Sequence, residues 1–260
     1  MSEVLDDTFQ RLNDARVNMD TSDIQPKFAC DSIEWGYYDR VFRRSAGVQS
    51  KWHHLKFARI RSEMSNYDTH LDIGCGPGTF IGTLKSPALS IGVDIAENQI
   101  AYAQSRYKSP SHQFKCVDSI PLPFEAGAFQ VVTIIELIEH LSMKDNFALM
   151  REAFRILEPN GLILISTPNY ASLWPVIERF VNKFGDISYK HQHITHFNRS
   201  SLDALIQQAG FCHTRVDAYQ FIAPFLALLN WRLADVVHRL EPKHLVSRFG
   251  LLLLARGRKR

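Results

Sequence analysis

The chain has 260 residues, of which 45% are apolar and 22% charged, and its net charge is +3 at pH 7. This composition is ordinary for a globular protein, and the length suffices for one large α/β domain with a sizeable core. The small positive excess does not by itself indicate nucleic-acid binding. Four scattered cysteines without a C-x-x-C pair argue against a disulfide framework or a zinc site and favour a reducing, cytoplasmic location.

Neither a membrane span nor a signal peptide is expected from the hydropathy pattern. No apolar run approaches the roughly 18 residues that cross a bilayer. The opening stretch, MSEVLDDTFQ, is acidic and lacks the apolar segment of a secretory signal.

Residues 1–64 are predicted to form a polar lead-in followed by a helical cap. The first 30 or so residues are acidic and weakly periodic, which favours a loosely held segment. From Trp35 to Met64 the chain becomes aromatic and basic, and Trp52, Leu55 and Ile60 recur at roughly helical spacing. This spacing predicts two short helices before the first strand.

Residues 65–260 are predicted to form one domain in which apolar strands alternate with helices. The alternation indicates a parallel sheet that is covered on both faces. We expect Asn160-Gly161 to close the helix that begins near residue 145, and Ser200 or Ser201 to start a helix that ends at Gly210. The predicted strands are THLDIG, LSIGVDI, HQFKCVDS, AFQVVTII, GLILISTPN, FCHTRVDAYQ and a final apolar strand in RFGLLLLARGRKR.

Two apolar segments stand apart from this alternation. The first is an insertion at about 170–190, and the second is a helical segment at about 219–240. Three interpretations stay open for them: packing against the sheet, contact with a second copy in a homodimer, or peripheral contact with a membrane surface.

A glycine-rich loop follows the first predicted strand, in the stretch HLDIGCGPGTF at 70–80. Gly74, Gly76 and Gly78 alternate, so the backbone can turn sharply and no Cβ blocks a ligand. The spacing differs from the dinucleotide fingerprint G-x-G-x-x-G, because position 79 is Thr79. Asp94 ends the second strand, and a carboxylate there suits a ribose diol, with the nucleoside lying across glycine backbone.

This loop and the following acidic residue resemble those of class I S-adenosylmethionine-dependent methyltransferases, over roughly residues 68–215. The resemblance implies a Rossmann-like, seven-stranded, mostly parallel α/β sheet and S-adenosylmethionine as the cofactor. It also implies that Asp118, with the backbone of Ser119, reads the adenine amino group. The cofactor contacts implied in this way are Asp72, Gly74, Cys75, Gly76, Gly78, Asp94, Ile95, Asp118, Ser119 and Glu136.

An E-x-x-E-H pattern follows the fourth predicted strand, at Glu136, Glu139 and His140. Two carboxylates and an imidazole at this spacing would bind a divalent cation such as Mg²⁺. The pattern resembles ubiquinone-biosynthesis O-methyltransferases and small-RNA ribose methyltransferases, and the resemblance implies His193 as a fourth ligand. Two alternatives stay open: His140 as a general base without a metal, or a structural role for the two glutamates.

The leading functional hypothesis is methyl transfer from S-adenosylmethionine to an oxygen of a small, apolar or lipid-linked acceptor. His140 and Glu136 are the predicted catalytic residues. One alternative acceptor is an RNA ribose 2′-hydroxyl, although the modest basic clusters argue against nucleic acid as a partner. A second alternative is a cofactor-binding regulatory subunit that does not catalyse.

Overall fold

The computed structural model describes residues 34–64, 66–85, 88–184 and 192–260. The predicted lead-in before residue 34 therefore lies outside the described residues, as do Cys30, His191 and the end of the predicted insertion. Among the described residues, no helix combines the length and the apolar composition that crossing a bilayer requires.

A mixed sheet of seven strands forms the centre of the described structure, in the order β3-β2-β1-β4-β5-β7-β6. Strands β1 to β5 pair in parallel, whereas β7 runs antiparallel to both β5 and β6. The predicted seven-stranded, mostly parallel sheet is confirmed. The strands are β1 Thr69–Ile73, β2 Leu89–Asp94, β3 His112–Cys116, β4 Phe129–Ile135, β5 Leu157–Pro168, β6 Cys212–Tyr219 and β7 Leu252–Arg258.

Helices cover both faces of this sheet. Side chains of α5 and α7 pack in the apolar core on one face, and side chains of α2, α3 and α4 pack in the core on the other. The helices are α1 Tyr37–Arg43, α2 Gly47–Arg61, α3 Thr79–Gly82, α4 Glu97–Tyr107, α5 Met143–Ile156, α6 Trp174–Phe184, α7 Arg199–Gln208, α8 Trp231–Leu240 and α9 Lys243–Phe249. Short 3-10 helices span Ile138–His140 and Ala223–Leu228.

Two predicted helix ends are wrong. Helix α5 stops at Ile156, because Leu157 is buried and already pairs with Phe129 of β4. Asn160 instead lies within β5 in a left-handed conformation, with φ 65°, and donates its backbone N–H to the carbonyl of Lys259. Helix α7 begins after Asn198, whose side chain accepts a hydrogen bond from the backbone of Ser201 in a capping box.

The apolar helical segment predicted at about 219–240 contains two separate helices. Strand β6 ends at Tyr219, and a 3-10 helix then spans Ala223–Leu228. Asn230 starts α8 by accepting hydrogen bonds from the backbone of Arg232 and Leu233. The split follows from this side chain, since asparagine at an N-cap stabilises a new helix start.

The strand order reverses between β1 and β4, which pair with each other. In open α/β sheets, ligands bind outside the carboxyl ends of the strands at such a reversal. The loops after β1, β2, β4 and β5 all leave the sheet at this edge. The topology therefore assigns one crevice to the glycine loop, Asp94 and the E-x-x-E-H segment.

A buried polar network links three strands beneath this crevice. The Thr133 hydroxyl donates to Asp72 at 2.5 Å and bonds to His70 Nε2 at 2.9 Å, and Ser90 bonds to His70 Nδ1 at 3.2 Å. Burial lowers the pKa of His70 to about 3. Burial also raises the pKa of Asp72 to about 7, with the neighbouring Asp94 charge acting in the same direction.

We expect His70→Gln to make the fold less sensitive to acid. In the unfolded chain this histidine binds a proton below about pH 6.5, whereas in the folded chain it stays neutral down to about pH 3. The histidine therefore destabilises the fold progressively as the pH falls from about 6.5 to about 3. The free energy of unfolding of wild type relative to the variant should drop by about 2 kcal/mol between pH 7 and pH 5.

Urea unfolding at the two pH values measures this difference. His213→Gln, at an exposed position on β6, is the matched control and should follow the wild type. Equal pH dependence in the wild type and His70→Gln would contradict the assignment.

Candidate active site

In the glycine loop after β1 the first and third glycines are closely packed, and the middle glycine faces open space. Gly74, Gly76 and Gly78 have φ values of +76°, +50° and +73°, the region that favours glycine. A Cβ on Gly74 would lie 2.9 Å from Leu137, and one on Gly78 would lie 2.6 Å from Phe114. A Cβ on Gly76 would meet no atom within 4 Å, so Gly76 faces open space.

Asp94 is held against this loop by backbone donors. Its carboxylate accepts hydrogen bonds from the N–H of Gly76 at 2.8 Å and of Ala96 at 2.9 Å. Burial raises its pKa, while these hydrogen bonds act in the opposite direction. A carboxylate offers about four acceptor positions, so its backbone bonds still leave capacity for a hydroxyl of a diol beside Gly76.

The remaining predicted cofactor contacts lie at different depths. Ile95 is 47% exposed beside Asp94, and Asp118 and Ser119 are exposed in the loop after β3. The N–H of Val117 donates to the Asp94 carbonyl at 2.9 Å, which brings this loop next to β2.

Two of the predicted contacts lie in the interior instead. Asp72 is only 2% exposed and bonds to Thr133, and Cys75 is buried against Gly92. Both side chains support the loop from below, and the surface of the crevice comes from Gly76, Asp94 and Ile95.

Glu136 occupies the turn after β4 and forms its own polar network. Its backbone is left-handed, with φ 53°, which turns the chain at the end of the strand. Its carboxylate accepts a hydrogen bond from Ser166 at 2.8 Å and lies 3.7 Å from the ammonium of Lys56. Lys56 is buried and belongs to α2, so the cap helix reaches directly into the crevice.

Glu139, His140 and His193 form a compact group. One ligand atom from each lies within 4.8 Å of the others. Chain segments distant in sequence meet here because the carbonyl of Glu139 accepts hydrogen bonds from the N–H groups of Ile194 at 2.7 Å and Thr195 at 3.0 Å. The structure thus brings three of the four predicted metal ligands together, and Glu136 lies outside this group, paired with Lys56.

The Glu139 side chain is buried, with 1% of its surface exposed, and accepts a hydrogen bond from Thr167 at 2.9 Å. Burial raises its pKa well above the usual range, and the nearby Glu136 charge adds to the rise. An ionised carboxylate at this depth is unfavourable unless a cation or further donors compensate it.

Both histidines of the group direct Nδ1 toward oxygen acceptors. His140 Nδ1 lies 3.1 Å from the carbonyl of Gln192, and His193 Nδ1 lies 2.5 Å from Glu178 Oε1. A carbonyl or carboxylate oxygen accepts, so in the neutral rings Nδ1 carries the proton and Nε2 carries the lone pair. Burial lowers the pKa of both histidines, that of His193 to about 4, which keeps both rings neutral at pH 7.

Tyr170 and Glu178 are site residues that the sequence patterns did not indicate. The Tyr170 hydroxyl donates to Glu178 at 3.0 Å, lies 2.7 Å from His193 Nδ1, and its ring stacks on His196 at 3.9 Å. Both residues come from the predicted insertion, where no motif marks a polar role. Lys56 was missed for the same reason, because nothing in α2 distinguishes it from other lysines before folding.

The comparisons with known proteins agree with this geometry. A family model described as a methyltransferase domain matches residues 41–215. The chain belongs to the methyltransferase domain family. It is 29% identical over 160 residues to a protein of Mycolicibacterium smegmatis named as a probable S-adenosylmethionine-dependent methyltransferase. That match covers 61% of this chain and 57% of the relative, so the chain spans just over half the relative's length.

Solved structures share the fold. A S-adenosylmethionine-dependent methyltransferase from Thermotoga maritima superposes with a TM-score of 0.61 at 19% identity, covering 90% of this chain and 96% of the other. Haemonchus contortus phosphoethanolamine N-methyltransferase 2, in complex with S-adenosylhomocysteine, gives a TM-score of 0.55 at 17% identity, covering 86% and 60% respectively. The methyltransferase domain is thus of the class I, S-adenosylmethionine-dependent type.

The residues present fit S-adenosylmethionine on their own geometry. Open space lies next to Gly76, a backbone-held carboxylate lies at Asp94, and an exposed apolar side chain lies at Ile95. These features suit a nucleoside with a diol and a flat apolar base. The finer resemblance to ubiquinone-biosynthesis O-methyltransferases stays a prediction.

We expect Gly76→Ala to weaken cofactor binding. Its left-handed backbone strains an alanine by about 1–2 kcal/mol, but the chain still folds because the new methyl group meets no atom. Affinity for S-adenosylhomocysteine, measured by calorimetry, should fall about tenfold or more, since the added group overlaps the space that the cofactor would fill. Gly78→Ala is the contrasting variant, because its methyl group would overlap Phe114 and should lower the free energy of unfolding by about 2 kcal/mol or more. Unchanged affinity in Gly76→Ala would exclude this loop as the binding surface.

We expect Glu178→Leu to change the protonation site of His193. Without the carboxylate, the Nδ1 proton loses its strongest acceptor, and the tautomer protonated at Nε2 should become populated. Nitrogen-15 NMR of the histidine rings distinguishes the two tautomers without any substrate. Glu125→Leu, at an exposed position, is the control, and an unaltered His193 spectrum in Glu178→Leu would rule out the positioning role.

Proposed function

We propose that this protein transfers a methyl group from S-adenosylmethionine to a hydroxyl oxygen of a small, apolar or lipid-linked acceptor. The observation that carries the proposal is the pair of neutral imidazoles, His140 and His193, which group with the buried Glu139 and hold their Nδ1 atoms against oxygen acceptors. The segment that bears His140 lies against the glycine loop, because Leu137 packs on Gly74. A base and a cofactor surface therefore share one crevice.

S-adenosylmethionine, when bound, supplies a methyl group that is activated by its sulfonium. The acceptor hydroxyl becomes a good nucleophile only as its proton leaves. His140 Nε2 accepts that proton in the proposed reaction. The Gln192 carbonyl, which already holds Nδ1–H at 3.1 Å, then stabilises the charged ring and keeps it oriented.

A divalent cation on Glu139, His140 and His193 is the second form of the same proposal. Two imidazoles and one carboxylate are a borderline donor set, which suits Mn²⁺, Fe²⁺ or Zn²⁺ better than Mg²⁺. Such an ion would compensate the buried Glu139 charge and lower the pKa of the acceptor hydroxyl. Glu178 would act behind His193, as carboxylates behind ligating histidines commonly do.

The aromatic surroundings support an apolar acceptor. Helix α2, which carries Lys56 into the crevice, also carries Trp52, and the Trp52 ring lies 5.4 Å from Trp174 and 6.5 Å from Phe225. Large rings of this kind bind apolar groups by contact area and add little conformational cost. We therefore assign the acceptor to the space between the cap helix and the segment 136–140.

The alternative with RNA as acceptor is less well supported. Several basic side chains of the cap are engaged within the protein: Arg40 with Glu34, Lys51 with Asp235, and Arg59 with Glu63. Positive groups that are already paired contribute little to phosphate binding. A purely regulatory role is also less well supported, because it does not require the bonds that orient His140 and His193.

We expect His140→Gln to lower the methyl-transfer rate about 100-fold or more while leaving S-adenosylhomocysteine affinity unchanged. The assay follows radiolabelled methyl groups into a cell extract that is then partitioned between organic and aqueous phases. His213→Gln is the control, because that residue is exposed and lies on β6. Equal turnover of His140→Gln and wild type would refute the assignment.

The same assay separates the two forms of the mechanism and identifies the acceptor class. Activity lost on chelation and restored by Mn²⁺ or Zn²⁺ supports the metal form, whereas chelator-resistant activity supports His140 acting alone. Label in the organic phase supports a lipid-like acceptor. Label in the aqueous phase alone would contradict that part of the proposal.

A further inference from the structure

Helix α8 and the turn before it present large apolar side chains to solvent. Leu229 is 77% exposed and Leu240 is 72% exposed, and Leu228, Leu233 and Val236 are exposed as well. Residues 233, 236 and 240 follow one another at intervals of three and four, so they lie along one side of the helix, and Leu228 and Leu229 come just before it. We call this set of five residues the leucine surface.

Helix α8 differs from an ordinary surface helix in the size of the apolar side that it leaves exposed. Such a helix turns its apolar stripe inward and its charged side chains outward. Here polar groups fasten the inner side: Lys51 of α2 is buried, bonds to Asp235 at 2.9 Å, and lies 3.7 Å from the centre of the Trp231 ring. The apolar side is left facing outward by these contacts.

The charge around the leucine surface has one sign. Arg232 and Arg239 are seven residues apart and exposed, so they flank the apolar row on the same helix. Between residues 221 and 250 the other positively charged side chains are Lys243 and Arg248. The acidic side chains in this range are Asp235 and Glu241.

Both acidic residues are engaged within the protein. Asp235 pairs with Lys51, and Glu241 accepts hydrogen bonds from the backbone of Ile222 at 2.7 Å and Ala223 at 2.8 Å. This part of the chain therefore exposes an apolar row with arginines beside it.

We propose that the leucine surface docks on an anionic lipid bilayer. Leucines would enter the boundary between headgroups and acyl chains, and Arg232 and Arg239 would contact lipid phosphates, the arrangement of an interfacial amphipathic helix. A second copy of this chain fits the surface less well. A symmetric dimer through this surface would bring the same arginines toward each other across an apolar contact.

Docking there would bring the crevice close to lipid. Phe225, from the 3-10 helix just before Leu228, lies 6.5 Å from Trp52 of the cap helix that also carries Lys56 to Glu136. The purpose of docking rests on the proposed function, since a lipid-linked acceptor would then be met at the membrane surface. Docking itself is measured without methyl transfer, so the failure of one proposal is distinguishable from the failure of the other.

The test is co-sedimentation of the full chain with vesicles of phosphatidylcholine alone or mixed with phosphatidylglycerol. We expect the wild type to bind the anionic vesicles and to be released by salt. Leu228→Glu/Leu229→Glu should reduce binding about 100-fold or more, and Arg232→Gln/Arg239→Gln about tenfold. Met143→Glu/Phe147→Glu is the matched control, because it places the same charges on exposed apolar positions of α5.

Three results would overturn the proposal. The first is a wild type that does not bind anionic vesicles, and the second is a leucine variant that binds them as well as the control does. The third is a wild-type dimer in sedimentation equilibrium that the leucine variant abolishes. The last result would make the surface an interface between copies. Circular dichroism checks folding, and Leu240→Glu, at the exposed end of α8, replaces the double variant if that variant does not fold.

Discussion

The parallel pairing of β1 with β4 is the constraint on which the rest of the site depends. His70 to Ile73 lie opposite Val131 to Ile134, and the strand order runs away from this pair in both directions. Chain segments that leave the two strands therefore diverge and open a crevice between them. The buried hydrogen bond from Thr133 to Asp72 crosses the same pair, so the polar support of the glycine loop is built into the pairing.

Each loop at this edge uses a different local device to reach the crevice. The loop after β1 relies on glycines in left-handed conformations, and the turn after β4 achieves a similar bend with a non-glycine residue, Glu136. A left-handed glutamate carries a strain of order 1–3 kcal/mol, which the hydrogen bond from Ser166 and the Lys56 ammonium help to offset. Strain of this kind is tolerated where the surrounding structure determines the backbone strongly.

The histidine group is assembled by backbone bonds between distant segments. The carbonyl of Glu139 accepts the N–H groups of Ile194 and Thr195, which fixes His193 next to His140. Glu178 and Tyr170 then define the tautomer of His193 from the opposite side. Proton positions in the crevice thus follow from contacts among the described residues around it.

The orientation of helix α8 is set by polar contacts as well as by the burial of Ala234. Lys51 is buried, and its bond to Asp235 and its contact with the Trp231 ring give the inner side of α8 satisfied polar partners. Leaving that lysine buried without a partner would be strongly unfavourable. The same contacts that satisfy the lysine therefore hold the leucines outward.

The sequence by itself determined the seven-stranded sheet, and it predicted the cofactor loop and the candidate base. These depend on short-range patterns: alternation of strands and helices, glycines at every second position in 74–78, and the spacing of Glu136, Glu139 and His140. The sequence also misled where two signals competed. Asn160-Gly161 has the composition of a helix end, but the pairing of Leu157 with Phe129 starts the strand earlier.

Only the tertiary structure decided which side chains meet. Glu136 turns to Lys56 and stays outside the group of Glu139, His140 and His193. Tyr170 and Glu178 enter the site from the insertion. Lys51 and Asp235, separated by 184 positions, set the direction of the leucine surface. Contacts over such separations depend on how whole elements pack, and no local period or motif encodes them.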